Sequence, residues 1–271
     1  QVRLEENRRF EQSARERATT WFLDFAERNG GYHNWDGFKV LEQELPNILA
    51  VMRWCRSTGQ WQVVMNFGNK LANFLLNRGH WNEAIDTANW TIAAAEKLGD
   101  RQAQAVACIT PLSWIYRHRE DLVEARRWCE KALRIFEASS DEGGIALAKF
   151  EWGRIAKRQE EVEKAERFLQ EAQTYFRQHY IRAPTCDCHR LLTGRQTCPF
   201  ATVLVNLGEL AYEQGRYEEA QRRLEEAERV YAELGDESGL ASVLNVMGKM
   251  AYVRGRYNEA KQFFTRSLVL D

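Results

Sequence analysis

The sequence predicts an all-α protein of about twelve helices, arranged as stacked helical hairpins. Three observations carry this. Only four prolines interrupt 271 residues. Ala, Leu, Glu, Arg and Gln, all good helix formers, dominate the chain. The third observation is self-similarity: "GRYEEAQRRLEEAERVYAELGD" at 215–236 and "GRYNEAKQFFTRSLVLD" at 255–271 place Ala220 forty residues before Ala260, and Gly208 forty before Gly248.

The first helices are expected at 10–29, "FEQSARERATTWFLDFAERN", and 38–58, "FKVLEQELPNILAVMRWCRST", separated by the link GGYHNWDG. They form an N-terminal pair within 1–60 that stands outside the repeat frame. Glu44, Pro46 and Asn47 suit a turn or a first helical turn, because proline lacks an amide hydrogen and is tolerated there.

Five repeats of about forty residues follow in 61–271. Their anchors are Ala84, Ala125, Ala165, Ala220 and Ala260, at intervals of 41, 40, 55 and 40. Twelve positions before each anchor stands a small residue: Ala72, Ser113, Gly153, Gly208 and Gly248. A small side chain in mid-helix lets the next helix approach closely, so two periodic apolar faces bury each other. Thr91, Ala132, Ala172, Ala227 and Ser267 fill a third small position. Apolar residues such as Trp128, Leu169, Leu224 and Phe264 are expected to pack in the core.

These spacings resemble the tetratricopeptide repeat (TPR), in which small residues at positions 8, 20 and 27 mark the helix-to-helix contacts. The usual tryptophan at position 4 and the closing proline are absent here, so the likeness is to a degenerate variant. The resemblance implies a right-handed α–α superhelix that binds a protein or peptide along the face of the first helix of each repeat. Carried onto this chain, that face comprises Asn66, Asn69, Asn73 and Asn77; Thr110, Trp114, Arg117 and His118; Phe150, Arg154, Lys157 and Arg158. Val205, Glu209, Tyr212 and Glu213, and Asn245, Lys249 and Tyr252, complete it. The middle of this face reads as basic, so an acidic peptide is the expected ligand; asparagines can pair with its backbone and arginines with its carboxylates.

The string Leu41-Glu42-Gln43-Glu44-Leu45-Pro46-Asn47-Ile48, followed by Trp54, "TGQWQ" and "RGHWNEA", resembles the junction between switch and sensor in bacterial signal-transduction ATPases of the NB-ARC/STAND type. That likeness implies a ligand-sensing region docked to an upstream nucleotide-binding domain of the same parent chain. The start at Gln1 and the stop within a patterned helix fit a piece of a longer protein. A freestanding adaptor that docks acidic peptides is the alternative. No Gly-x-x-x-x-Gly-Lys-Ser/Thr loop occurs, so this chain itself offers no phosphate cradle.

Composition narrows the function further. Thirty-eight basic and 39 acidic residues leave a net charge of −1, which provides no global attraction to nucleic acid or anionic membrane. The basic residues are interrupted by glutamates, with no stacking platform for a nucleic acid beside them. No apolar run reaches the roughly 18 residues that cross a bilayer, and the reading is of a cytoplasmic protein. His80, His118 and His179 lack partners at H-E-x-x-H spacing, Cys188 and His189 are adjacent and so point apart, and glutamate pairs such as Glu218-Glu219 read as solvated helix faces. No catalytic residues are therefore expected.

The 55-residue interval holds an insertion at about 180–199, bracketed by Pro184 and Pro199 and containing "CDCHRLLTGRQTCP". Cys186, Cys188, His189 and Cys198 could ligate a structural zinc, the only cofactor the sequence suggests. Two other readings stay open: a cysteine–cysteine link involving Cys198, and a loop without ligand. Cys55, Cys108 and Cys129 read as reduced thiols within helices.

Overall fold

The computed structural model describes residues 2–31, 34–182 and 198–270. Its described residues form twelve helices and no strand. They are α1 (Val2–Asn29), α2 (Trp35–Ser57), α3 (Trp61–Asn77), α4 (Trp81–Leu98), a kinked α5 built from Arg101–Ala107, Cys108–Ser113 and Trp114–His118, and α6 (Leu122–Ala138). Then come α7 (Glu142–Arg158), α8 (Val162–Arg182), α9 (Pro199–Glu213), α10 (Tyr217–Leu234), α11 (Glu237–Val253) and α12 (Tyr257–Leu270). Most of the expected insertion, 183–197, lies outside the described residues, and with it Cys186, Cys188 and His189. The chain divides into two compact units, Gln1–Ile135 and Phe136–Asp271, with the boundary inside α6.

In the first unit, α1 and α2 pack on each other and both reach α3, so the N-terminal pair stacks as a further hairpin. Pro46 sits in the middle of α2, not at its start. The helix begins instead at Asn34, whose side chain accepts the Gly37 amide at 3.0 Å. Leu41, Leu45, Ile48, Leu49 and Met52 are all buried on one face of α2, and this packing holds the helix through the missing amide donor. Glu42 on the same helix ties down the α3–α4 turn by accepting from Arg78 and meeting His80 Nε2 at 3.3 Å. The Arg78 guanidinium beside it holds the Glu42 carboxyl below the usual carboxylate range.

The second unit stacks its hairpins on a core that includes Leu169, Phe200, Leu204, Leu224 and Val243. The helix crossings depend on the small residues. A methyl on Gly153 would lie 2.7 Å from Leu169 Cγ, and one on Gly248 2.6 Å from the Phe264 ring. The anchors Ala165 and Ala220 are fully buried and Ala260 is 2% exposed. In the first unit Ala84 and Ala125 are also fully buried, and Ser113 Oγ donates to the Ala125 carbonyl at 3.0 Å. There Gly68, one turn before Ala72, lies directly against Thr91 in the α3–α4 hairpin. Glycine here makes room for a threonine where three other repeats carry alanine.

Three hairpins open with the same device. Asp100, Asp141 and Asp236 accept from the amides of Ala103, Gly144 and Gly239 at 2.8–2.9 Å, which satisfies orphan donors at each helix start. The residue before each aspartate, Gly99, Ser140 or Gly235, is left-handed with φ of 73, 53 and 64°.

In α5, Thr110 adopts an extended conformation (φ −124°, ψ 111°) before Pro111. Proline crowds the residue before it out of helical geometry and removes a hydrogen bond, which accounts for the kink.

Candidate functional site

The first helix of each repeat hairpin carries the expected binding face, and burial sorts its positions into two classes. Residues one turn past the small residue's neighbour, at the end of the helix, are exposed in four hairpins: Asn77 and His118 in the first unit, Arg158 and Glu213 in the second. One position of this face turns inward on each of α5, α7 and α9. Arg117 is 3% exposed, Phe150 6% and Val205 7%. Arg117 therefore does not line an open face, contrary to the sequence expectation. Phe150 and Val205 are apolar, which was the sequence signal that those two positions pack rather than bind.

On α3, Asn69 and Asn77 are exposed while Asn66 and Asn73 are half-buried. The Asn77 amide nitrogen donates to the Asn73 carbonyl at 2.7 Å, and Asn66 accepts from Gln62 at 3.2 Å. On α5, Trp114 stacks on His118 with ring centroids 3.8 Å apart, and Trp81 meets Trp114 edge-on at 6.2 Å. The Arg119 guanidinium lies 5.6 Å from the Trp81 ring and donates to Asn82 at 2.8 Å. These residues form an aromatic patch with cationic edges in the first unit.

In the second unit the structure brings Lys157, Glu209 and Glu213 together. Lys157 Nζ is 2.9 Å from Glu209 Oε2 and 3.1 Å from Glu213 Oε1, so the α7 lysine is clamped by two carboxylates of α9. Arg154 meets Glu151, itself only 3% exposed, at 3.4 Å and lies 5.4 Å from the Phe150 ring. The positive charge expected in mid-face is thus largely matched by neighbouring acids. The sequence obscured this because Glu151 precedes Arg154 by one turn and the two α9 glutamates lie over fifty residues away. Tyr212 packs near Tyr217, with centroids 5.6 Å apart. Asn245, Lys249 and Tyr252 stand exposed on α11.

Of the expected zinc ligands only Cys198 is described. It is 8% exposed, begins α9 ahead of Pro199, and belongs to the unit core; burial pushes its thiol up. Cys55, Cys108 and Cys129 are buried, and burial raises the Cys108 thiol to about 12. Among the described residues, no group of three or more His, Cys, Asp or Glu side chains is placed to hold a metal ion, and no helix is long and apolar enough to cross a membrane.

Comparison with known proteins fits this geometry. Tetratricopeptide-repeat family models match residues 106–140 and 199–270. The curated "Transcription activator GutR" of Bacillus subtilis (strain 168) is 26% identical over 249 residues, covering 86% of this chain and 28% of that protein. The chain thus spans little more than a quarter of that relative's length. Among solved structures, BtubC (BKLC) from P. vanneervenii is 20% identical with a TM-score of 0.61, covering 85% of this chain and 90% of that one. The apo form of RapI is 12% identical with a TM-score of 0.59 (92% and 97%), and aspartyl phosphate phosphatase F from Bacillus subtilis is 15% identical with a TM-score of 0.59 (88% and 55%). The family models place tetratricopeptide repeats in both matched segments, and at these identities the structural likeness establishes the helical-hairpin fold.

Proposed function

We propose that this repeat region is the partner-sensing part of a larger regulatory protein, and that it docks an extended peptide or protein segment along the first helices of its hairpins. The carrying observation is the set of polar side chains left exposed there, Asn69 and Asn77 in the first unit and Arg158 in the second, on helices whose other faces are buried. Asparagine pairs with a peptide backbone through donor and acceptor together, and rigid placement lowers the entropy lost on binding.

The match to a transcription activator more than three times the length of the matched segment supports a regulatory parent. The Leu41–Ile48 string supports a parent of the signalling-ATPase type, in which an upstream nucleotide-binding domain is switched by what the repeats bind. Glu44 and Asn47 of that string are joined side chain to side chain at 2.8 Å on an exposed face of α2, available for such a contact. An acidic ligand is the reading for Arg158 because its basic side chain stands exposed at the end of α7.

The test is titration of the chain with extended nine-residue peptides graded from acidic to basic. Acidic peptides should bind saturably, and the pair Asn69→Ala, Asn77→Ala should weaken them about tenfold, as expected for two lost hydrogen bonds of ordinary net strength. Unchanged affinity in that variant would remove the groove from the proposal, and unchanged affinity after Arg158→Glu would remove the preference for acid.

A further inference from the structure

We infer that the first unit holds a second, separate site, a cleft between α5 and α6 that binds a small organic phosphate. The cleft encloses about 400 Å³, within the range of pockets that take small ligands. Four cations border it: Arg101 from α5, and Arg127, Lys131 and Arg134 from successive turns of α6. Trp128 and Ile135 supply apolar wall between them.

The charge there is incompletely matched. Arg127 meets Glu124 at 3.2 Å, and Lys131 lies 3.9 Å from Glu96, whose carboxylate also accepts from Gln104 at 2.6 Å. Glu130 is engaged by Arg126 at 2.8 Å. Arg134 reaches only the Glu130 backbone carbonyl, at 3.4 Å, and Arg101 has no carboxylate partner among the described residues. Among the described residues two of the four cations thus have no carboxylate within ion-pair distance, in a protein whose total charge is −1. Lys131 Nζ stands 5.3 Å and the Arg127 guanidinium 6.0 Å from the Trp128 ring centroid, so the ring gathers positive charge onto the cleft wall. The Trp128 indole nitrogen is buried with no hydrogen-bond partner.

Guanidinium forks match phosphate oxygens in pairs, and a dianion satisfies two of them at once. The apolar wall calls for an organic body on that phosphate rather than the bare ion. This site lies on the α5–α6 pair and uses no residue of the proposed peptide face, so either proposal can fail without the other.

The experiment is calorimetric titration at about 150 mM salt, where distant charges are screened, using phenyl phosphate, inorganic phosphate and a phosphotyrosine peptide. Phenyl phosphate should bind saturably and inorganic phosphate about tenfold more weakly, the wall contributing the difference. The double variant Arg101→Glu, Arg134→Glu alters two exposed side chains. It should keep the helical circular dichroism and weaken phenyl phosphate by on the order of a hundredfold. Arg222→Glu with Arg229→Glu, exposed on α10, should leave binding unchanged. A phosphotyrosine peptide that binds no more tightly than phenyl phosphate supports the free small molecule. Tighter binding of the peptide overturns that assignment, and the absence of saturable binding, or equal binding by the double variant, overturns the site.

Discussion

Replacing Gly153 by alanine tests the packing rule behind the whole repeat. The added methyl would stand 2.7 Å from Leu169 Cγ and 2.9 Å from its Cδ2, with the Ala165 carbonyl oxygen 3.3 Å away as a second wall. Leu169 is fully buried, so it has little room to retreat. Overpacking of this kind costs about 1–3 kcal/mol, while alanine in a helix interior regains about 1 kcal/mol over glycine. A net loss of about 1 kcal/mol is expected. Leu169→Ala alone should cost about 3 kcal/mol, the middle of the range for a buried leucine. The double variant should cost about 2 kcal/mol rather than the sum of 4, because alanine at 153 then fits the space left by the leucine side chain and contributes its helix preference. Urea unfolding followed by circular dichroism, with the denaturant slope held as a check on the state unfolded, measures all three. If the two single effects add to within about 0.5 kcal/mol, the pair is not coupled and the contact does not set the crossing.

Three further outcomes follow from other places in the chain. Glu160 is left-handed, with φ 60°, where Gly79, Gly215 and Gly255 occupy corresponding turns. Glu160→Gly should raise stability by roughly 0.5–1 kcal/mol, the relief of about 1–2 kcal/mol of backbone strain less the entropy of a glycine in the unfolded chain, read as a higher melting temperature. Burial raises the Cys108 thiol from 9.0 to about 12, so the native state retains a proton that the unfolded state releases. The stabilisation is complete below pH 9 and is lost as pH rises toward 12, by up to about 1.4 kcal/mol for each tenfold fall in proton concentration; Cys108→Ala should flatten that decline in pH-dependent melting. Glu209→Gln together with Glu213→Gln frees Lys157 and should strengthen acidic-peptide binding severalfold, while Lys157→Met should change the melting free energy by less than about 1 kcal/mol.

The repeat frame was legible because its contacts are steric. Where two helices cross within reach of a Leu169 or Phe264 side chain, only a small residue fits, so Gly153 and Gly248 mark the crossing in the sequence itself. Gly68 escaped that reading, since its partner Thr91 is also an exception and the two only make sense together. Pro46 misled for the opposite reason: a local preference for helix starts was overridden by a row of buried leucines and isoleucine along α2. The first-helix positions could be carried over from the repeat resemblance, but the pairing of their charges could not. The Lys157 clamp and the cleft at Arg101 and Arg134 each join residues from different helices, roughly thirty to fifty positions apart, with no periodic signal linking them. Arg117 shows the remaining gap, for a long polar side chain at a carried-over position gave no hint that it is buried.

The junctions Gly99-Asp100, Ser140-Asp141 and Gly235-Asp236 share one turn chemistry: a left-handed residue followed by an aspartate that caps the next helix. At each junction the aspartate amide also donates back to the last turn of the preceding helix, Asp100 to Ala95, Asp141 to Phe136 and Asp236 to Tyr231, so the same backbone closure recurs at all three. For an engineer, these junctions are splice points. Cutting after Gly99 and rejoining at Asp141 would restore a left-handed residue before a capping aspartate, and a copied hairpin could be inserted at the same seam. Length is therefore an adjustable property of this scaffold.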